Sequence, residues 1–356
     1  MNTGNGIFGG LIILLVGIGR LWWNEWNNVS NSQSVNEGKK NYTDVSTKKV
    51  DPKYDGKLVA TNGKLTVTGE ITDDEFGIKT TSAVLKRTVE MYQWEESCED
   101  NNCTYKKVWS DDVIDSEDFE KEGHENPNTM PYDSETFTSE TAYLGAYNLP
   151  EELLKKLPAE HKIKDLNSET ATNLSMTING RYYTTVNNEE GAKIGDVRIS
   201  FYDNNSKSIS VLAMQTDDSF KTYTAKKGKS LFKIYEGTYN GNDMLTMIAK
   251  QNKFMCWLLR IVGTILVIGG IAGLFGPITN LANKVPILGN IVGFATSTVS
   301  SVLGLAISLL VIAIAWFRFR PLISIVLIVI IIALVVGLKF MPKKDKTKQE
   351  KNETTK

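Results

Sequence analysis

Ile261-Val-Gly-Thr-Ile-Leu-Val-Ile-Gly-Gly-Ile-Ala-Gly-Leu-Phe-Gly-Pro-Ile-Thr-Asn-Leu-Ala-Asn283 runs for 23 residues without a charge. At about 1.5 Å per residue a helix of this stretch is about 34 Å long, enough to cross a hydrocarbon core about 30 Å thick. It belongs to an apolar block from Phe254 to about Phe340, punctuated by Arg260, Lys284, Arg318, Arg320 and Lys339. Between Lys284 and Arg318 lie 33 uncharged residues, more than one straight crossing needs. Pro286 to about Val292 is therefore expected along the interface or re-entrant, with the next span starting near Gly293. Pro321 to Leu338 supplies 18 more apolar residues, and proline suits a helix start.

Working outward to the other end, Ile7 to Trp23 is a second apolar run, of 17 residues. A cleaved signal peptide is the competing reading. It is weakened by the lack of a basic leader and of a small-residue cleavage site, and by bulky Trp22, Trp23 and Trp26 downstream. Those tryptophans, with Arg20 at one end and Trp316, Arg318 and Arg320 at the other, read as interfacial anchors. The expected plan is an α-helical membrane protein with four transmembrane helices, at 7–23, 254–276, 293–317 and 321–340. Residues 277–292 form an interfacial loop. A tail (1–6), a polar juxtamembrane linker (24–50), a large β-rich (α+β) soluble domain (51–250) between the first and second spans, and a Lys-rich tail (341–356) complete it.

The third span carries two rows of small residues at four-residue spacing: Gly289, Gly293, Ser297, Ser301, and Thr296, Ser300, Gly304, Ser308. Gly270, Gly273 and Gly276 form a shorter row on the second. Small residues let helix backbones approach closely in lipid. Packing within the cluster, self-association and a pore are all compatible with such rows. No acidic residue lies inside the expected spans, which disfavours the pore.

Net charge is −1, but residues 41–250 hold 36 Asp+Glu against 25 Lys+Arg, a balance of −11. An acidic middle without a basic stripe argues against nucleic acid as a partner. The tail 342–356 carries six Lys against Asp345, Glu350 and Glu353. That suits an anionic cytosolic leaflet, or simply a solvated end. With an even number of spans, both termini then face the cytosol and the soluble domain faces away. Of three cysteines, Cys256 lies in an apolar segment and reads as a buried small hydrophobe. Cys98 and Cys103 flank a loop between strand-like runs, where the two thiols could meet across a hairpin in an oxidising compartment. A metal site there lacks a nearby histidine.

The middle alternates like strands at Leu65–Gly69, Ala83–Trp94, Tyr105–Ser110, Arg181–Val186, Asp196–Tyr202, Ser208–Met214 and Leu231–Gly237, with a short helix expected from Pro150. The only histidines are His124 and His161, and no zinc-protease, nucleophile-elbow or P-loop motif is present. The acidic run Asp111–Asp118 lacks calcium-loop spacing. No cofactor, metal or catalytic set is expected.

Six segments carry a resemblance: Trp23-Asn24-Glu25; Val89-Glu90-Met91-Tyr92-Gln93-Trp94; Val113-Ile-Asp-Ser-Glu-Asp-Phe119; His124-Glu125-Asn126-Pro127; Gly195-Asp196-Val197-Arg198-Ile199-Ser200-Phe201; and Trp316-Phe-Arg-Phe-Arg-Pro321-Leu322. In this order, with these spans, the chain resembles the LUMA family (transmembrane protein 43). After Trp23-Asn-Glu it departs, with Trp-Asn-Asn where the family more often has Gly-Arg-Ala. The resemblance implies four spans, a domain in the endoplasmic-reticulum lumen or perinuclear space, and no catalytic residues. It also implies self-association and, in a eukaryote, emerin- or lamin-type partners at the nuclear envelope. A bacterial member would sit in the cell membrane without them. The leading expectation is a non-enzymatic membrane scaffold; a channel or channel-modulating subunit, or a membrane-tethered enzyme using His124, are the alternatives.

Overall fold

The computed structural model describes residues 3–99, 102–187, 189–226, 228–282, 288–317 and 321–339. It divides into a helical unit, residues 1–36, 226–229 and 246–356, and a β unit, residues 37–225 and 230–245.

The helices are α1 (Thr3–Asn41), α2 (Glu151–Leu154), α3 (Ser168–Asn173), α4 (Gly241–Ala282), α5 (Leu288–Phe317) and α6 (Pro321–Lys339). Three of them, α1, α4 and α5, are long and apolar enough to cross a membrane, and the β-rich region lies between the first and second. The fourth apolar helix, α6, is shorter: 19 residues, about 28 Å of helix. The first three expected spans fall inside α1, α4 and α5, which run beyond them; the fourth, 321–340, matches α6 as far as Lys339, and Phe340 lies outside the described residues. The polar segment 24–50, expected as a linker, is helical as far as Asn41. The expected interfacial loop 277–292 is largely helix, since α4 continues to Ala282 and α5 begins at Leu288. Pro286, Lys284, Arg318, Arg320 and the Lys-rich tail lie outside the described residues.

Within the helical unit α1 and α4 pack antiparallel along a seam of glycines. A Cβ on Gly10 would meet the Gly273 backbone at 2.8 Å, and one on Gly270 the Leu14 backbone at 2.5 Å. Val267 crowds Gly17, and Leu21 crowds Gly263. Positions 10, 14, 17 and 21 follow the alternating four- and three-residue steps of a coiled-coil stripe, with glycine allowing close approach. Leu21, Val267 and Ile271 are buried between them, and Leu303, Ile307 and Val311 of α5 pack on that core. Gly304 abuts Ile268, and the Thr296 and Thr279 hydroxyls are 3.3 Å apart. Ser300 and Ser308 are buried, while Ser297 and Ser301 of the other row are not. The second row is thus turned into the bundle, whereas Ser297 and Ser301 of the first face out of it. Gly276 has open space around it.

The β unit has two seven-stranded sheets. The first runs in the order 219–221, 208–216, 58–67, 142–144, 147–148, with 43–44 beside 58–67 and 233–236 beside 208–216. Its alternating face, Val59, Ile209, Val211, Ala213 and Ile234, packs with Leu153, Leu154 and Leu157 at and just after α2. The second runs in the order 177–179, 182–184, 197–203, 84–99, 102–110, with 161–162 beside 197–203 and 135–138 beside 84–99. Leu85, Val89, Met91, Val197, Ile199 and Phe201 form its core with Ala171 of α3 and Phe76. Arg87 shares that interior and binds the buried Asp73 through Nη1 at 3.1 and 3.0 Å. Strand positions 85 to 91 and 197 to 201 alternate because successive side chains point to opposite faces, leaving Glu90, Tyr92, Arg198 and Tyr202 on the other side.

Candidate functional site

Glu25 lies on α1 where the polar half of that helix begins. The continued helix carries its carboxylate into the bundle, where it is fully buried. Arg260 of α4 meets it with two nitrogens, Nε to Oε1 at 2.6 Å and Nη2 to Oε2 at 2.7 Å. From α5, Trp316 Nε1 donates to Oε2 at 2.5 Å. The guanidinium lies against the faces of both Trp257 and Trp316, each ring centre at 4.9 Å. Next to Glu25, Asn24 donates through Nδ2 to the carbonyl of Cys256, one turn from Arg260, at 3.1 Å and to its sulfur at 3.6 Å. A single carboxylate therefore joins three helices. Counting back from Glu25 to Gly6 gives about 20 residues, or about 30 Å of helix. This layer thus marks one boundary of the apolar bundle, the depth that Trp22, Trp23 and Trp26, all exposed, also mark. Arg20 is exposed as well.

The remaining resemblance segments meet in the β unit. Asn126 reaches the 84–99 strand: its Oδ1 accepts from Trp94 N at 2.7 Å, and its Nδ2 donates to Trp94 O at 2.9 Å and Ile114 O at 3.2 Å. Gln93 holds the neighbouring segment, accepting from Ile114 N at 2.8 Å. His124 stacks on Tyr105 at 3.9 Å and meets Trp94 edge-on at 4.5 Å. Tyr105 donates to Glu96 at 2.5 Å. Partial burial, with the Glu96 carboxylate beside it, pushes the Tyr105 phenol up to about 12. Gly195 donates to Tyr92 O at 2.9 Å. It has φ +90°, and a Cβ there would meet Pro127 at 3.3 Å, so the position needs glycine twice over. Asp196 accepts from Lys193 N at 2.6 Å and Thr185 Oγ1 at 2.9 Å, fixing that turn. Arg198 grips Glu90 at 2.7 Å through two nitrogens and lies over Trp109 at 4.6 Å. Phe201 is core, Trp23 is exposed, and Pro321 is the first residue of α6.

Cys98 and Cys103 face each other across the 84–99/102–110 hairpin and are joined as a disulfide. Their sulfurs bond to one another, so they offer no thiolates to a metal beside Glu96. His161 bonds Asp203 at 2.7 Å and lies apart from the His124 cluster. Arg260, Trp257 and Arg87 went unassigned as site residues in the sequence. The available signal was a lone arginine in one apolar segment and a lone glutamate at the end of another.

A family model described as Transmembrane protein 43 matches residues 91–321. The chain belongs to the transmembrane protein 43 family. It is 25% identical over 345 residues to transmembrane protein 43 of Rattus norvegicus, covering 90% of this chain and 86% of that one. The Homo sapiens protein is 24% identical over 365 residues, 96% and 89% of the two chains. The Drosophila melanogaster homolog is 25% identical over 341 residues, 88% and 89%. No solved structure matches. The matched region takes in Arg198 and Arg260 and stops at Pro321; their partners Glu90 and Glu25 lie before it.

Proposed function

We propose that this transmembrane protein 43 family member is a non-enzymatic multi-pass scaffold that self-associates and organises membrane protein complexes. The observation that carries this reading is the Glu25–Arg260–Trp316 layer, which joins three helices through one buried carboxylate. A bundle locked in this way suits a platform better than a moving gate. In this reading α6 is a fourth span, both termini are cytosolic, and the β unit faces the non-cytosolic side. The Cys98–Cys103 bridge supports an oxidising environment for it. Partners are the lipid bilayer, further copies and other membrane proteins. In a eukaryote the location is the endoplasmic reticulum and inner nuclear membrane, with emerin- or lamin-type partners; in a bacterium it is the cell membrane.

The enzyme and channel readings lose support from the same geometry. His124 is stacked on Tyr105 with Trp94 edge-on to it, and Thr296 and Gly304 contact α4. The outward-facing Ser297 and Ser301 form the surface on which self-association is expected. Cross-linking in native membranes should give oligomers that Ser297→Leu with Ser301→Leu diminishes. A strictly monomeric wild type would overturn self-association.

A further inference from the structure

Between α4, α5 and α6 runs a groove of about 470 Å³. Its walls are apolar, with Ile265, Leu305, Leu309, Ile312 and Leu327 along its length. Arg260 stands in the wall, flanked by Trp257 and Trp316. Leu305 and Trp316 are eleven residues apart on α5, so the groove descends about 16 Å from the tryptophan layer.

Arg260 is 8% exposed and spends Nε and Nη2 on Glu25. Its Nη1 has no hydrogen-bond partner among the described residues. An unpartnered guanidinium nitrogen on a residue nine-tenths buried that lines an apolar groove calls for an oxygen acceptor. At the tryptophan layer of a bilayer, glycerophospholipids supply such acceptors: ester carbonyls and phosphate oxygens at the top of an acyl chain. One molecule meets both demands, with oxygens on Nη1 and hydrocarbon along Ile265, Leu305 and Leu309. A sterol offers the hydrocarbon with one hydroxyl at its head.

We propose that this groove binds one acyl chain of a glycerophospholipid, anchored through its ester or phosphate oxygens on Arg260 Nη1. The bound lipid completes the hydrogen bonding of the arginine that clamps α1 to α4. This depends only on membrane embedding, so it stands or falls apart from self-association.

The test uses the full chain in phosphatidylcholine nanodiscs doped with a phosphatidylcholine bearing a diazirine in one acyl chain. Cross-linked residues are mapped by peptide mass spectrometry. Labelling at Ile265, Leu305 and Leu309 should exceed, several-fold, that at Ile12 and Val16, which are exposed on α1 outside the groove. Leu309→Trp should fill the groove and bring Ile265 and Leu305 down to the Val16 level. Equal labelling of groove and α1 positions in the wild type would overturn the proposal, and so would a photoactivatable sterol labelling the groove in preference to the phospholipid.

Discussion

Arg260 and Arg198 each hold one glutamate through two nitrogens, at 2.6 and 2.7 Å from Glu25 and at 2.7 Å from Glu90. The geometry is the same and the surroundings are not. The Arg260 and Glu25 side chains are 10% and 0% exposed, those of Arg198 and Glu90 28% and 25%. Water can replace either partner of the half-exposed pair, so its loss leaves little behind. In the apolar bundle nothing replaces the missing partner, and each residue obliges the other. The buried pair as a unit need not be strongly stabilising. Its role is register: it fixes which turn of α1 faces which turn of α4.

The largest expected effect follows from that difference. Glu25→Leu strands Arg260 and should cost about 3–5 kcal/mol, seen as a large drop in melting temperature in detergent micelles. Adding Arg260→Met to the same chain should recover most of the loss, because an apolar pair of similar volume needs no partner. A double variant that melts as low as the single one would break the comparison.

The glycine seam sharpens it at an intermediate size. Gly270→Leu must displace the Leu14 backbone, which would meet a new Cβ at 2.5 Å. It should lower stability by about 1–3 kcal/mol, the usual cost of overpacking. Gly276→Leu, where nothing lies within 4 Å, should leave the melting temperature nearly unchanged. Equal effects at the two positions would show that the seam does not set the register.

Much of this architecture was legible in the sequence. Charge-free runs located the apolar helices, and alternation located the main strands, because both signals are carried by side chains that must be buried. Residues 24–41 hid their helix. The buried positions there are Asn24, Glu25, Ser30, Ser34, Val35 and Gly38, all but Val35 polar or glycine, so hydrophobic periodicity is silent. Ending the span at Trp23 put Glu25 outside it, and the buried pair disappeared with it. Arg260 then read as a boundary charge. The resemblance segments located Asn126, Gly195 and Glu90. Their meeting points were beyond reach, because strand pairings such as Glu90 with Arg198 span 108 residues.

The smallest effect belongs to the half-exposed pair, and salt separates it from the buried one. A double-mutant cycle of Glu90→Ala and Arg198→Ala should return a coupling of about 0.2–1 kcal/mol. The cycle is needed because Arg198 also lies over Trp109, and the single variant loses that contact too. Raising ionic strength from about 0.1 M to about 1 M shortens the screening length from about 10 Å to about 3 Å. The Glu90–Arg198 coupling should shrink accordingly. The same cycle on Glu25 and Arg260 should give a coupling that does not move with salt, because counter-ions have no access to a carboxylate with no exposed surface. If both couplings fell together, Glu25 would be reachable from water, and the layer it forms would be a solvated cleft rather than the edge of an apolar bundle.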